Sequence, residues 1–267
     1  WWMFVNFSMY KYFLWLLKLG TLLNLYFLRE TIITPLVFKD VHILIPAQIF
    51  FIISAFRCFF PVNYVTHAVL HDSFLSSIFL TRLFATFSEV AYIYLFSYLI
   101  RIFNTSQIPL VDFLSWLMVA QVTISQCFVW FAILTERNIF YFYEELGWGV
   151  IFVINTIASA ILYWTLDSLG GHALLLQLNL LFGVIYLPWQ FIHLKSLRLS
   201  AKHQKINEDL HAEISWSVLK RGLYQSIQMK NPTTQPKAWG GFIGMTWMIG
   251  YWVALIPTWI YLIVRVI

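Results

Sequence analysis

Two opposite charges stand seven residues apart in an otherwise apolar run, Arg82 and Glu89 in LTRLFATFSEVAYIYLFSYLI (residues 80–100). A charge at the centre of a bilayer costs about 2.5–3.5 kcal/mol even on lenient insertion scales. A guanidinium and a carboxylate kept there point to a proton relay, a cation site or an ion pair that locks helices together. On a helix the two share a face and lie about 10.5 Å apart along the axis. Helical side chains lean toward the N-terminus, so Arg82 is expected to point away from Glu89 and a bridge within the helix is not expected. Each charge should face the interior and find its partner on another helix.

Depth supplies the partners. If the helix carrying Arg82 starts on the cytoplasmic side, Glu144 and Glu145 in FYFYEELGWG open another helix at a similar level, and His193 returns near it. The segment HAVLHDSF adds His67, His71 and Asp72. If these helices are neighbours, His67, His71, Asp72, Arg82, Glu144, Glu145 and His193 converge on one layer. Arg82, Glu89, Glu144 and Glu145 are then the candidates for catalysis, proton relay or cation binding. The plainer alternative is a buried or interfacial ion pair that fixes which helices associate.

The i,i+4 spacing of His67 and His71 would set two imidazoles on one helix face, and Asp72 or His193 could complete a metal site of mixed nitrogen and oxygen ligands. Interfacial histidines bonded to loop backbone explain the same pair and are favoured. A b-type haem would need histidines on facing helices at matched depth, for which His71 with His193, or His42 with His172, would serve; nothing in the spacing demands it. The sequence therefore assigns no cofactor. It has no GxSxG, HExxH, P-loop or GxGxxG signature, no multiple HxxHH boxes, and no lysine in the last apolar run to hold retinal. Nothing here decides between enzyme and non-enzyme.

The elements that carry these residues are membrane spans. Of 267 residues, 60% are hydrophobic and 11% charged, against about 25% charged in soluble domains, and the mean hydropathy is +0.74. A water-facing fold of this size could not cover so much apolar surface. Seven stretches reach the roughly 20 apolar residues a span requires: 9–28, 42–62, 75–100, 110–134, 140–166, 172–195 and 239–264. The first is the weakest, because Lys11 and Lys18 lie inside it. The expected fold is all-α: a polytopic integral membrane bundle forming a single transmembrane domain over 1–267. Its long loop, 196–238, has helical periodicity, with Leu210, Ile214, Val218 and Leu219 near one face and Trp216 and Leu223 flanking it. That loop should form an amphipathic helix on the membrane surface or beneath the bundle.

Two stripes read as interhelical contact: His172, Asn179, Gly183, Tyr186, Gln190 and His193 on one helix, and Glu145, Trp148, Asn155, Ser159 and Tyr163 on the one before it. Gln121 and Ser125 add to these from the fourth span. Such groups mostly act as glue, at about 0.6 kcal/mol per contact. WGGFIGMTWMIG in the last span permits close helix approach, and Pro257 is a candidate kink.

With seven spans, ten Lys and Arg fall on the side of the N-terminus and the 196–238 loop, and four (Arg29, Lys39, Arg101 and Arg265) on the other. The positive-inside rule places the richer side in the cytoplasm, or in the matrix or stroma of an organelle. The net charge of +5 follows from this topology and not from nucleic-acid binding. Cys58 and Cys127 are expected to be small buried hydrophobes. The start, Trp1-Trp2-Met3, shows no charged segment followed by a small-residue cleavage site, so no signal peptide is expected. The partners expected are the lipid bilayer and other membrane protein subunits. The aromatic content of 19% and the lack of catalytic motifs favour an integral subunit of a larger assembly, with a structural or proton-path role. An autonomous membrane enzyme or transporter using the charged layer is the alternative.

Overall fold

A computed structural model describes residues 7–33, 40–165, 170–207 and 214–267. The architecture is helical. In chain order come α1 (Phe7–Ile33), α2 (Val41–Phe59), α3 (Ile78–Phe103), α4 (Pro109–Thr135), α5 (Asn138–Thr165), α6 (Gly171–Asn207), α7 (Trp216–Gln228), α8 (Gly241–Ile249) and α9 (Leu255–Val266). A π-helical segment, Gly250–Ala254, joins α8 to α9. Among the described residues six helical runs are long and apolar enough to cross a membrane: α2, α3, α4, α5, α6 and the run Ile243–Val266. The 27-residue α1 is not one of them, because Lys11, Lys18, Asn24 and Arg29 dilute its apolar residues. Lys39 and Leu210 lie outside the described residues.

The chain divides into two compact units. The first comprises Trp1–Ala91 and Tyr224–Arg265 with Ile267; the second comprises Tyr92–Leu223 with Val266.

In the first unit, Leu14 and Leu17 of α1 pack with Cys58 of α2, with Trp239 in the turn before α8, and with Met245, Met248 and Trp252 of the last span. Phe27 stacks on Tyr261 at 4.3 Å. Among its described residues this unit also holds three two-residue strands: β1 (Val62–Asn63), β2 (Ala68–Val69) and β3 (Asn231–Pro232). β1 runs antiparallel to β2, pairing Val62 with Val69, and β2 runs parallel to β3, pairing Ala68 with Asn231. Asn63 turns the chain locally, its side-chain oxygen accepting from the N–H groups of Val65 and Thr66, an Asx turn that competes with helix. His67 and His71 therefore do not share a helix face as their spacing suggested. His67 has a left-handed φ of 55° and a carbonyl that accepts from Asn231 N–H at 2.8 Å, while His71 follows β2 in a bend.

In the second unit α5 is buried on two sides. Val111, Ser115, Met118, Val122, Ser125, Val129 and Ala132 form the buried seam of α4, with alternating steps of four and three residues, the spacing of a left-handed helix pair. Gly147 of α5 meets it so closely that a Cβ there would overlap the Ser125 hydroxyl. The other side of α5 meets α6: Asn179 donates to Ser159 Oγ at 3.1 Å, Gln177 to Tyr163 Oη at 3.0 Å, and Phe152 packs on Tyr186 with ring centroids 4.5 Å apart. The polar stripes are thus interhelical contacts.

Two expectations need correction. The sixth helix does not end at 195 but runs to Asn207, because SLRLSAKHQKIN contains neither Gly nor Pro and suits a helix. Among the described residues of the loop, Trp216–Gln228 forms the separate amphipathic helix, with Val218 and Leu219 half-buried, Trp216 exposed and Ile214 exposed before it begins. Cys58 is buried, but Cys127 is exposed on α4, one step off its buried seam.

Candidate functional site

The densest set of buried charges lies in the first unit. α2 carries Arg57 in its last turn, and α3 carries Arg82 and Glu89 two turns apart. All three are buried, Arg82 to 2% exposure and both Arg57 and Glu89 to 5%. Arg82 donates from Nη2 to Glu89 Oε2 at 2.7 Å and from Nη1 to Oε1 at 3.3 Å, a two-pronged pair. This overturns the expectation that no direct bridge would form within the helix. Glu89 leans toward the N-terminus and so toward Arg82. The arginine side chain is long enough to reverse its own lean and close the remaining gap, and the apolar surroundings reward it for doing so.

The expectation of a partner on another helix also holds for Glu89, whose Oε1 lies 3.6 Å from Arg57 Nη1. Arg57 is not among the sequence candidates; it is one of the ten Lys and Arg on the side of the N-terminus. The signal was available, since an arginine flanked by Phe56 and Cys58 inside an apolar run cannot be assumed to reach water. Arg57 also donates from Nη2 to the Tyr64 hydroxyl at 3.1 Å, and its guanidinium lies over the Trp252 ring, 4.2 Å from the centroid, a cation–π contact. Its Nε and Nη1 have no hydrogen-bond partner among the described residues.

The π-helical segment makes a second junction nearby. The Trp252 carbonyl accepts from Asn24 Nδ2 at 2.8 Å and from the Cys58 thiol at 3.5 Å. A π turn frees carbonyls from the helical ladder, and Pro257, lacking an N–H, cannot bond the carbonyl four residues back. Freed acceptors in an apolar bundle need side-chain donors, which α1 and α2 supply here.

His71 lies at the edge of this unit, among Trp15, Phe59 and Phe60 with ring centroids 5.8, 6.3 and 6.1 Å away. Lys18 sits over the Trp15 ring at 3.9 Å and the Phe59 ring at 4.6 Å. Burial pushes the His71 pKa below the ordinary histidine range, and the charge of Lys18 adds to the shift. Asp72 is exposed and His67 half-buried.

The remaining sequence candidates belong to the second unit. Glu144 is buried. Gln190 of α6 donates through one nitrogen to both the backbone carbonyl and the Oε2 of Glu145, at 2.6 and 2.9 Å. His193 Nε2 stands 3.9 Å from Glu145 Oε1, and its ring stacks on Trp189 at 4.9 Å. His172 packs against Phe103 at 4.7 Å, and His42, of the first unit, is exposed at the start of α2. The seven residues of the expected layer thus divide four and three between the units. Among the described residues no three His, Cys, Asp or Glu side chains form a group that could hold a metal ion.

No protein-family model, curated protein or solved structure matches this chain.

Proposed function

We propose that the chain is an integral membrane subunit of a larger membrane assembly, in which its intramembrane charges have a structural or proton-path role. In this reading α1 is the seventh span, and the N-terminus and the 196–238 segment face the cytoplasm, matrix or stroma. The observation that carries it is how the two kinds of surface are used. The buried charges of the first unit engage one another, Glu89 with both Arg82 and Arg57. Helix faces elsewhere stay broad and bulky: α6 alone leaves Leu181, Val184, Ile185, Phe191 and Ile192 exposed, Phe191 to 73%. Such faces suit lipid and the helices of partner subunits. The test is the native mass after gentle detergent extraction from the source membrane. A large heteromeric particle is expected, and a monomer or small homo-oligomer would overturn the proposal.

One observation favours the second reading, an autonomous enzyme or transporter. Among the described residues Arg57 Nε and Nη1 have no hydrogen-bond partner in a buried site, the nearest carboxylate oxygen standing 3.6 Å from Nη1; unsatisfied donors are costly there, and an anionic group of a substrate would be bound. A monomer whose activity is lost on Arg57→Gln, with the fold intact, would establish it.

A further inference from the structure

One end of the second unit gathers basic side chains onto a fixed surface. The α4–α5 turn, Glu136-Arg137, is held by Gln204 of α6, which donates to the Glu136 carbonyl at 2.8 Å and accepts from Asn138 N–H at 2.8 Å. These two hydrogen bonds of one amide set the last turns of α6 beside the first turns of α5. The 28 residues of α5 span about 42 Å, against about 30 Å for a hydrocarbon core and 40–45 Å with headgroups. The α4–α5 turn and the neighbouring stretch of α6 therefore fall at headgroup depth. Lys195, Arg198 and Lys202 are exposed there.

The first half of α7 lies against the same end. Gly222 approaches α4 so closely that a Cβ would overlap the Leu134 carbonyl. With that contact made, Lys220 and Arg221 are exposed and Trp216 is 70% exposed, with Lys220 Nζ 5.7 Å from the Trp216 ring centroid. Cations beside an outward tryptophan suit the membrane interface. Residues 195–237 contain eight Lys and Arg and three Asp and Glu, a net charge of +5 that equals the net charge of the whole chain. The rest of the protein is electrically neutral.

We infer that this basic end of the second unit binds the headgroups of anionic phospholipids. Topology alone requires positive charge near the spans; it does not require that the charges be held at one depth by an amide clamp and a glycine contact. The occupant follows from charge complementarity, from the depth set by α5 and from Trp216. The inference rests on the membrane-spanning reading and is independent of whether the chain is a subunit.

The test reconstitutes the full chain in nanodiscs of equal parts phosphatidylcholine and phosphatidylglycerol, and counts the lipids that stay bound on release by native mass spectrometry. Several-fold retention of phosphatidylglycerol over phosphatidylcholine is expected, falling toward parity in 0.5 M salt. The variant K195Q/R198Q/K202Q/K220Q/R221Q should lose the preference while keeping its helical content. The salt series on the unaltered protein keeps the test decisive if that variant does not fold. Equal retention of both lipids, or a preference that survives the five substitutions, would overturn the inference. So would loss of a protein companion from the variant's native extract with lipid retention unchanged, which would assign the surface to an acidic protein. Release of the chain from membranes without detergent would instead refute the membrane-spanning reading itself.

Discussion

Glu89 is the residue on which the buried charges of the first unit depend, because two guanidiniums address one carboxylate. Glu89→Gln removes the charge that both guanidiniums address, and breaking a buried pair from one side typically costs about 3–5 kcal/mol. Thermal unfolding in a fixed detergent should show a loss of that order. The double variant R82M/E89L should lose less than E89L alone, since it removes both members of the pair; additive losses would mean that the pair is not coupled. Arg82→Lys should not rescue, because an ammonium cannot match the two-pronged geometry. His71 makes a separate expectation about pH. Its folded-state pKa is depressed, first by burial and then by Lys18, so the unfolded chain takes up a proton before the folded one does. The stability held at neutral pH is therefore lost as pH falls through the ordinary histidine range, and the loss stops once the folded state also protonates. Melting curves from pH 8 to 5 should show this decline, with a shallower slope in His71→Phe. Lys18→Met should soften the decline only in part, because burial is the larger cause. At this scale the sequence disclosed that Arg82 and Glu89 face inward and that Glu89 meets another helix. It did not disclose the direct bridge or Arg57, because both depend on how far a flexible side chain reaches and not on where its Cβ points.

Helix contacts at glycine divide into those with backbone and those with side chains, and the two should respond differently to a methyl group. Gly222 faces the Leu134 carbonyl, which cannot move without moving α4. Gly222→Ala should therefore destabilise by about 1–3 kcal/mol, as overpacking does. Gly149, also helical, would place its Cβ 3.5 Å from Gln190 Cγ, an ordinary contact. Gly149→Ala should leave stability unchanged or raise it by up to about 1 kcal/mol through helix propensity. Paired melting measurements in one detergent decide this, and equal losses would refute the distinction. The α5–α6 contact was legible from sequence because Asn179, Gly183, Tyr186 and Gln190 recur with helical period, and period survives without knowledge of the neighbour. The π segment was not legible beyond the hint of Pro257, since its stability depends on Asn24 and Cys58, distant in sequence, accepting the role of donors. The spacing of His67 and His71 fits a helix and a loop alike, and what decides for the loop, Asn63 and the strand pairing with Asn231, lies outside the pair.

For the whole chain the decisive quantity is the parity of crossings, because it fixes which termini and loops share a side. Six runs are apolar enough to cross, and α1 decides between six and seven. Its polar residues do not exclude crossing, since Asn24 is buried and donates to the carbonyls of Gly20 and Trp252 at 2.8 Å. A polar group satisfied inside a bundle can cross where one facing lipid cannot. The charge bias argues the same way, because only an odd count puts the N-terminus with the basic segment 195–237. The expected outcome can be read with single cysteines introduced after Cys58 and Cys127 are changed to Ala, in sealed vesicles treated with a membrane-impermeant maleimide. Ser8→Cys and Lys202→Cys should label from one side and Ser106→Cys, in the exposed α3–α4 connection, from the other. Labelling of Ser8→Cys together with Ser106→Cys would make α1 an interfacial helix. The basic surface would then still lie on the side opposite Ser106, since three crossings, α4, α5 and α6, separate Ser106 from Lys202 whichever way α1 lies.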